Sequence, residues 1–232
     1  SSHLMIVSAS RRTDIPAVHT EWFLNRLREG YCIVAHHTAS GVYHRVPLTP
    51  DVVDCIVFRS KNPAPMLRRL DELRDYDYLF NITMNPYGRE MECHVPRLEE
   101  RIETFRQLSR QLGSQRMIWR YDPVFLSPKY NLDFHRRAFG YLCRELQGWS
   151  YKCMIGFIIH HPFVAKRIDP LAVKRRGRKT SELSAGCSGK LQDDTITSSR
   201  LVSKRPTWTS SRHRTRSLRR MQADRGRGDC GL

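Results

Sequence analysis

Several things are missing from this chain, and each absence narrows what it does. No apolar run approaches the roughly 20 residues that span a bilayer, and no apolar stretch with a small-residue cleavage site lies near the start. A soluble, cytoplasmic protein is therefore expected. Paired cysteines are absent too. Cys32, Cys55, Cys93, Cys143, Cys153, Cys187 and Cys230 are scattered and odd in number, which argues for reduced thiols rather than a disulfide framework. His36 with His37, Cys93 with His94, and His160 with His161 show no CxxC or HxxxH spacing, so no metal site is expected from them. Neither GxxxxGK[ST] nor GxSxG occurs, which removes the signatures of a phosphate-binding loop and a hydrolase elbow.

Acidic residues are also scarce, but unevenly so. Of the 232 residues, 40 are Lys or Arg and 23 Asp or Glu, a formal charge of +17. Residues 1 to 165 hold 22 basic against 17 acidic side chains; residues 166 to 232 hold 18 against 6. The chain thus reads as a near-balanced body with a basic tail. The leading "SSHLM" resembles a cloning remnant joined to a native start at Met5, so residues 1 to 4 are set aside.

From Met5 onward, short β-branched runs alternate with segments of helical period, the pattern of βα units around a mainly parallel sheet. Six such runs are predicted: residues 5 to 10, 31 to 35, 52 to 60, 78 to 84, 117 to 121 and 152 to 159, with a hairpin arm at 41 to 48. Helices are predicted from the apolar faces of "TEWFLNRLREG", "NPAPMLRRLDELRDY", "RLEERIETFRQLSRQLG" and "NLDFHRRAFGYLCRELQG", with Gly30 and Gly113 as stops. Trp22, Phe23 and the leucine stripes are read as core. The expected fold is α/β: an incomplete TIM-like barrel of about six mainly parallel strands over residues 5 to 160. Residues 161 to 232 lack periodicity and large apolar groups, so a disordered basic tail is expected, reading as an out-of-frame extension, a nucleic-acid-binding segment or a merely solvated, charged terminus.

The predicted strands end in charge rather than in more core, as in "MIWRYDPVF". In a βα-repeat fold the C-terminal strand ends converge on one face, which in barrels carries the active site. The strand ends deliver Ser10, Arg11, Arg12 and Asp14, then Lys61 and Asn62, then Asn85 and Tyr87, then Arg120 and Asp122, each exit with a proline close by. Ser8, Arg59 and Ser60 stand at the same exits. Polar loop starts are common, and an Arg–Asp neighbour pair is often only structural; four such exits together point to a site. Arg11, Arg12, Lys61 and Arg120 suit an anionic small molecule, because guanidinium forks bind carboxylate or phosphate bidentately. The two aspartates would orient them. No catalytic acid, base or nucleophile is assigned.

The motifs "IVSASRRTDIPA", "EWFLNRLREGY", "LTPDVVDCIVF", "KNPAPML", "PYG" and "IWRYDP" together resemble the bacterial family called domain of unknown function 1848, over about residues 5 to 157. The resemblance implies a barrel-like βα fold. It also implies, in longer members, a C-terminal cysteine cluster like the one that holds a [4Fe–4S] centre in radical S-adenosylmethionine enzymes. This chain departs there, since Cys187 and Cys230 stand alone where a cluster needs three thiolates. The expectation is therefore a chain without its own iron–sulfur cofactor. Arg59 also stands where the family commonly has an aromatic residue.

Overall fold

The computed structural model describes residues 5–10, 12–35, 41–158, 196–198 and 229–231. The chain divides into two units, residues 1–82 with 205–232, and residues 83–204.

The first unit is built on parallel strands β1 (Ile6–Ala9), β4 (Cys55–Ser60) and β5 (Tyr78–Thr83). Strand β4 lies between the other two, with Val7 opposite Ile56 and Phe58 opposite Phe80. Alternation sends Val7, Ala9, Ile56, Phe58, Phe80 and Ile82 to one face, all buried. There Phe58 stacks on Phe80 at 5.1 Å and meets Phe23 edge-on at 5.6 Å. Phe23 comes from helix α2 (Thr20–Glu29), whose buried face also carries Leu24 and Leu27. Gly30 ends α2 with φ 75°, and a Cβ there would sit 3.0 Å from Thr49, so glycine suits both the turn and the space. Before α2 comes the single turn α1 (Ile15–Val18).

Three expectations are corrected in this unit. The run at 31 to 35 forms β2 (Tyr31–Ala35), which among the described residues joins no parallel sheet; it pairs antiparallel with β3 (Tyr43–Pro47) as a separate ribbon. The helix predicted after β4 breaks into the short α3 (Ala64–Leu67) and a 3-10 turn at Leu70–Leu73. Met66, Leu70 and Leu73 are buried all the same, so the apolar spacing reports the buried face and not helix length. Trp22, read as core, is 47% exposed.

The second unit pairs β6 (Met117–Val124) in parallel with β7 (Lys152–Phe157). Helices α4 (Leu98–Leu112) and α5 (Leu132–Leu146) supply apolar faces, with Ile102, Phe105, Leu108, Phe139 and Leu142 buried. Trp119 stacks on Phe139 at 4.9 Å and Tyr121 meets it edge-on at 5.1 Å. Strand β6 does not stop at its charged residues as expected. It runs through Arg120, Asp122 and Pro123, and alternation separates these charges from Trp119 and Tyr121. The Asp122–Pro123 and Ala9–Ser10 peptides are cis.

Within the basic tail, β8 (Ile196–Ser198) adds in parallel to β7 and β9 (Asp229–Gly231) to β1. The rest of that tail, with its expected disorder, lies outside the described residues. The fold is mixed α/β with mainly parallel pairing, and the strand ladders close no barrel among the described residues. No described helix is long and apolar enough to cross a membrane.

Candidate functional site

In the first unit the predicted strand-end residues are brought together, but most of their polar atoms hold the backbone. Ser10 Oγ accepts the N–H groups of Arg12 and Thr13, each at 3.1 Å, and donates to the Thr13 carbonyl at 3.0 Å. Asp14 Oδ1 caps α1 by accepting from Ala17 N at 3.1 Å, while Oδ2 accepts from Lys61 N at 2.7 Å. That carboxylate therefore ties the exit of β1 to the exit of β4. Ser60 Oγ accepts from Asn62 N at 2.9 Å, and Asn62 Oδ1 accepts from Ala64 N at 3.4 Å. Arg12 is exposed beside this cluster; Arg11 lies outside the described residues.

The opposite face of the same sheet is mixed, although parallel sheets usually bury apolar residues on both sides. By strand register and alternation it carries Ser8, Arg59 and Asn81 among Ile6, Cys55, Val57 and Leu79. Ser8 and Asn81 are 3% and 7% exposed, and neither Ser8 Oγ nor Asn81 Oδ1 has a hydrogen-bond partner. Asn81 did not figure among the predicted site residues. The signal that finds it is an amide side chain inside the mostly apolar "YLFNITM", two positions from Leu79 on the same face.

In the second unit Arg120 and Asp122 form an ion pair along one edge of β6. Asn85 clasps the Asp122 backbone, its Nδ2 donating to the carbonyl at 2.8 Å and its Oδ1 accepting from the N–H at 3.0 Å. Tyr87 Oη donates to the Pro123 carbonyl at 2.6 Å, and burial pushes the Tyr87 hydroxyl above its ordinary pKa. The four predicted residues of these two exits thus meet at one place. A Cβ on Gly156 of β7 would lie 2.5 Å from the Asp122 carboxylate, so only glycine leaves that carboxylate its position.

The loop from β5 to α4 borders a cavity of about 200 Å³, with Tyr87, Gly88, Arg89, Glu92, Arg97 and Arg101 among its lining. Arg101 is 4% exposed. Its guanidinium donates to the carbonyls of Thr83 (3.0 Å) and Asn85 (3.4 Å) and to Glu92 (3.3 Å), while Nε–H is buried without a partner. Burial lowers the Arg101 pKa against the opposing pull of Glu92.

Among the described residues no three His, Cys, Asp or Glu side chains group to hold a metal. Cys32, Cys55 and Cys153, all buried, sit on β2, β4 and β7. His36, His37, His160, His161 and Cys187 lie outside the described residues. A GxGxxG spacing does occur at residues 226–231, but strand β9 occupies its end, where a dinucleotide fingerprint requires a helix to open.

Fold and strand ends define a parallel α/β protein with polar groups gathered at the strand ends and on one sheet face. The chain belongs to the family described as Domain of unknown function (DUF1848), whose model matches residues 6–199. That agrees with the resemblance read from the motifs, and the match continues past residue 157, where those motifs end. No curated protein and no solved structure matches the chain.

Proposed function

We propose that this chain is a small-molecule-binding member of its family, taking an anionic ligand on the mixed face and C-terminal strand ends of the β1, β4 and β5 sheet. The observation that carries the reading is the pair of buried, partnerless atoms, Ser8 Oγ and Asn81 Oδ1, on the Arg59 face. An unsatisfied buried polar group costs about 1–3 kcal/mol. Such a cost makes sense where a ligand supplies the missing partner. Arg12, Arg59 and Lys61 give this end of the sheet its cationic balance, and Asp14 is committed to two backbone N–H groups.

The separation of the two atoms bears on ligand size. Ser8 and Asn81 are two strands and two residues apart in the register, roughly 12 Å between Cα atoms by ordinary strand spacings. A ligand touching both is nearer a nucleoside monophosphate or sugar phosphate than a bare ion. In this reading the chain binds without an iron–sulfur cluster of its own, because Cys187 and Cys230 stand alone in sequence.

A thermal-shift screen of nucleoside monophosphates and sugar phosphates tests the proposal, with Ser8→Ala and Asn81→Leu as variants. Both variants remove an unsatisfied buried group, so each is expected to melt higher than wild type without ligand and to bind at least tenfold more weakly. If no compound stabilises the wild type and both variants melt lower, the two polar groups are structural and the reading fails.

A further inference from the structure

We propose that the cavity at the start of α4 is an oxyanion site, independent of the sheet face, that takes one phosphate-like group. The helix is 15 residues long, and its N-cap is Arg97, a side chain that cannot accept a hydrogen bond. The first main-chain bond back into the loop is Arg101 N to Arg97 O at 3.1 Å. The N–H groups of Leu98, Glu99 and Glu100 therefore start the helix without a side-chain cap. Ser, Thr, Asp or Asn would ordinarily close such an end; "VPRLEE" offers none. Uncapped N–H groups at the positive end of a helix dipole are ready-made anion donors.

A second observation comes from one turn further along. Arg101 lines the same cavity, is almost fully buried, and keeps one guanidinium N–H without a partner. Arg89 and Arg97 line the wall as exposed cations, while at Gly88 the N–H already donates to Tyr130 Oη at 3.3 Å and the Glu90 carboxylate packs against the space a Cβ would fill. The opposing charges are Glu92, which pairs with Arg101, and Glu99, with Glu100 also in the first turn. Three arginines against two lining glutamates leave one net positive charge, besides the helix end. That balance suits a single oxyanion and disfavours a polyphosphate. The group arrives either as free phosphate or as the head of a phosphate monoester.

Titration of the full-length protein with inorganic phosphate by calorimetry, at constant low ionic strength and with chloride as control, tests this directly. Saturable binding, competed by sulfate, is expected. Arg97→Asp is the decisive variant, because its own carboxylate would cap the free N–H groups: phosphate binding should fall at least tenfold while the melting temperature rises. Arg89→Ala, at an exposed position, should weaken binding several-fold without changing the melting temperature. Ser8→Ala should bind phosphate as wild type does, which separates this site from the sheet-face ligand. Tighter binding of glycerol 3-phosphate than of phosphate identifies a monoester, and equal binding a free ion. Absence of saturable binding in the wild type, or wild-type binding by Arg97→Asp, overturns the proposal.

Discussion

His135 is held from both sides of its ring, its Nδ1 2.8 Å from Tyr121 Oη and its Nε2 2.9 Å from the Phe125 carbonyl. A carbonyl only accepts, so Nε2 carries the proton. Burial lowers the His135 pKa and so favours the neutral ring, in which Nδ1 accepts from the tyrosine. With the folded pKa below the unfolded one, the unfolded chain takes up the proton first as pH falls. The stability from neutral His135 is present in full above the unfolded value of about 6.5, and is progressively lost below it, by about 1.4 kcal/mol per unit of depression. Urea denaturation between about pH 7.5 and 5 should show this slope, and His135→Gln should flatten it. No feature of "NLDFHRR" announces such a role, because a histidine at a helical core position looks the same whether bonded or not. The same limit applies at Ser10, Asp14 and Asn85. Their residue types and their places at strand ends were legible, but the choice between gripping a ligand and gripping the backbone is decided by angles that sequence does not carry.

Among the elements, the most exposed dependence is that of α1 on Asp14. Four residues cannot sustain a helix by themselves, and the Asp14 carboxylate both caps this turn and anchors the amide of Lys61. Asp14→Ala is expected to lower unfolding free energy by about 1–3 kcal/mol, a lost cap plus a lost hydrogen bond, measured by chemical denaturation. Asp14→Asn should recover part of the cap. Helices α2 and α4 were readable at this level because their apolar residues recur at helical spacing and Gly30 and Gly113, with φ 75° and 83°, stop them. Strand β2 was misread as a sheet member because "YCIVA" has strand composition, and composition does not say which partner a strand finds. The extent of β6 was misread for a related reason: a charge was taken as a terminator, whereas alternation lets a strand continue while placing charge on one side only.

At the scale of the molecule, the uneven charge is the dominant fact. Residues 166 to 232 hold 18 basic and 6 acidic side chains, a surplus of 12 out of the total +17. If that segment binds duplex nucleic acid, affinity should fall with salt on a log–log slope near −0.9 per phosphate neutralised. Replacing Arg212, Arg214, Arg216, Arg219 and Arg220 by glutamine should then flatten the slope and weaken binding, as read by fluorescence anisotropy. Unchanged binding would remove the tail from any such role. Composition made this asymmetry plain from the outset. The family match through residue 199 was less legible, since helical and strand periodicity fades near residue 160 well before the match does.

The alternation along β6 gives one strand two duties. Trp119 and Tyr121 anchor the aromatic core, while Arg120 and Asp122, one residue out of step, take no part in it. Every second side chain therefore answers to the core, and the side chains between answer to the other face, where the Asp122 carboxylate requires a glycine at position 156 of the neighbouring strand. An exchange on one face is thereby decoupled from the packing of the other.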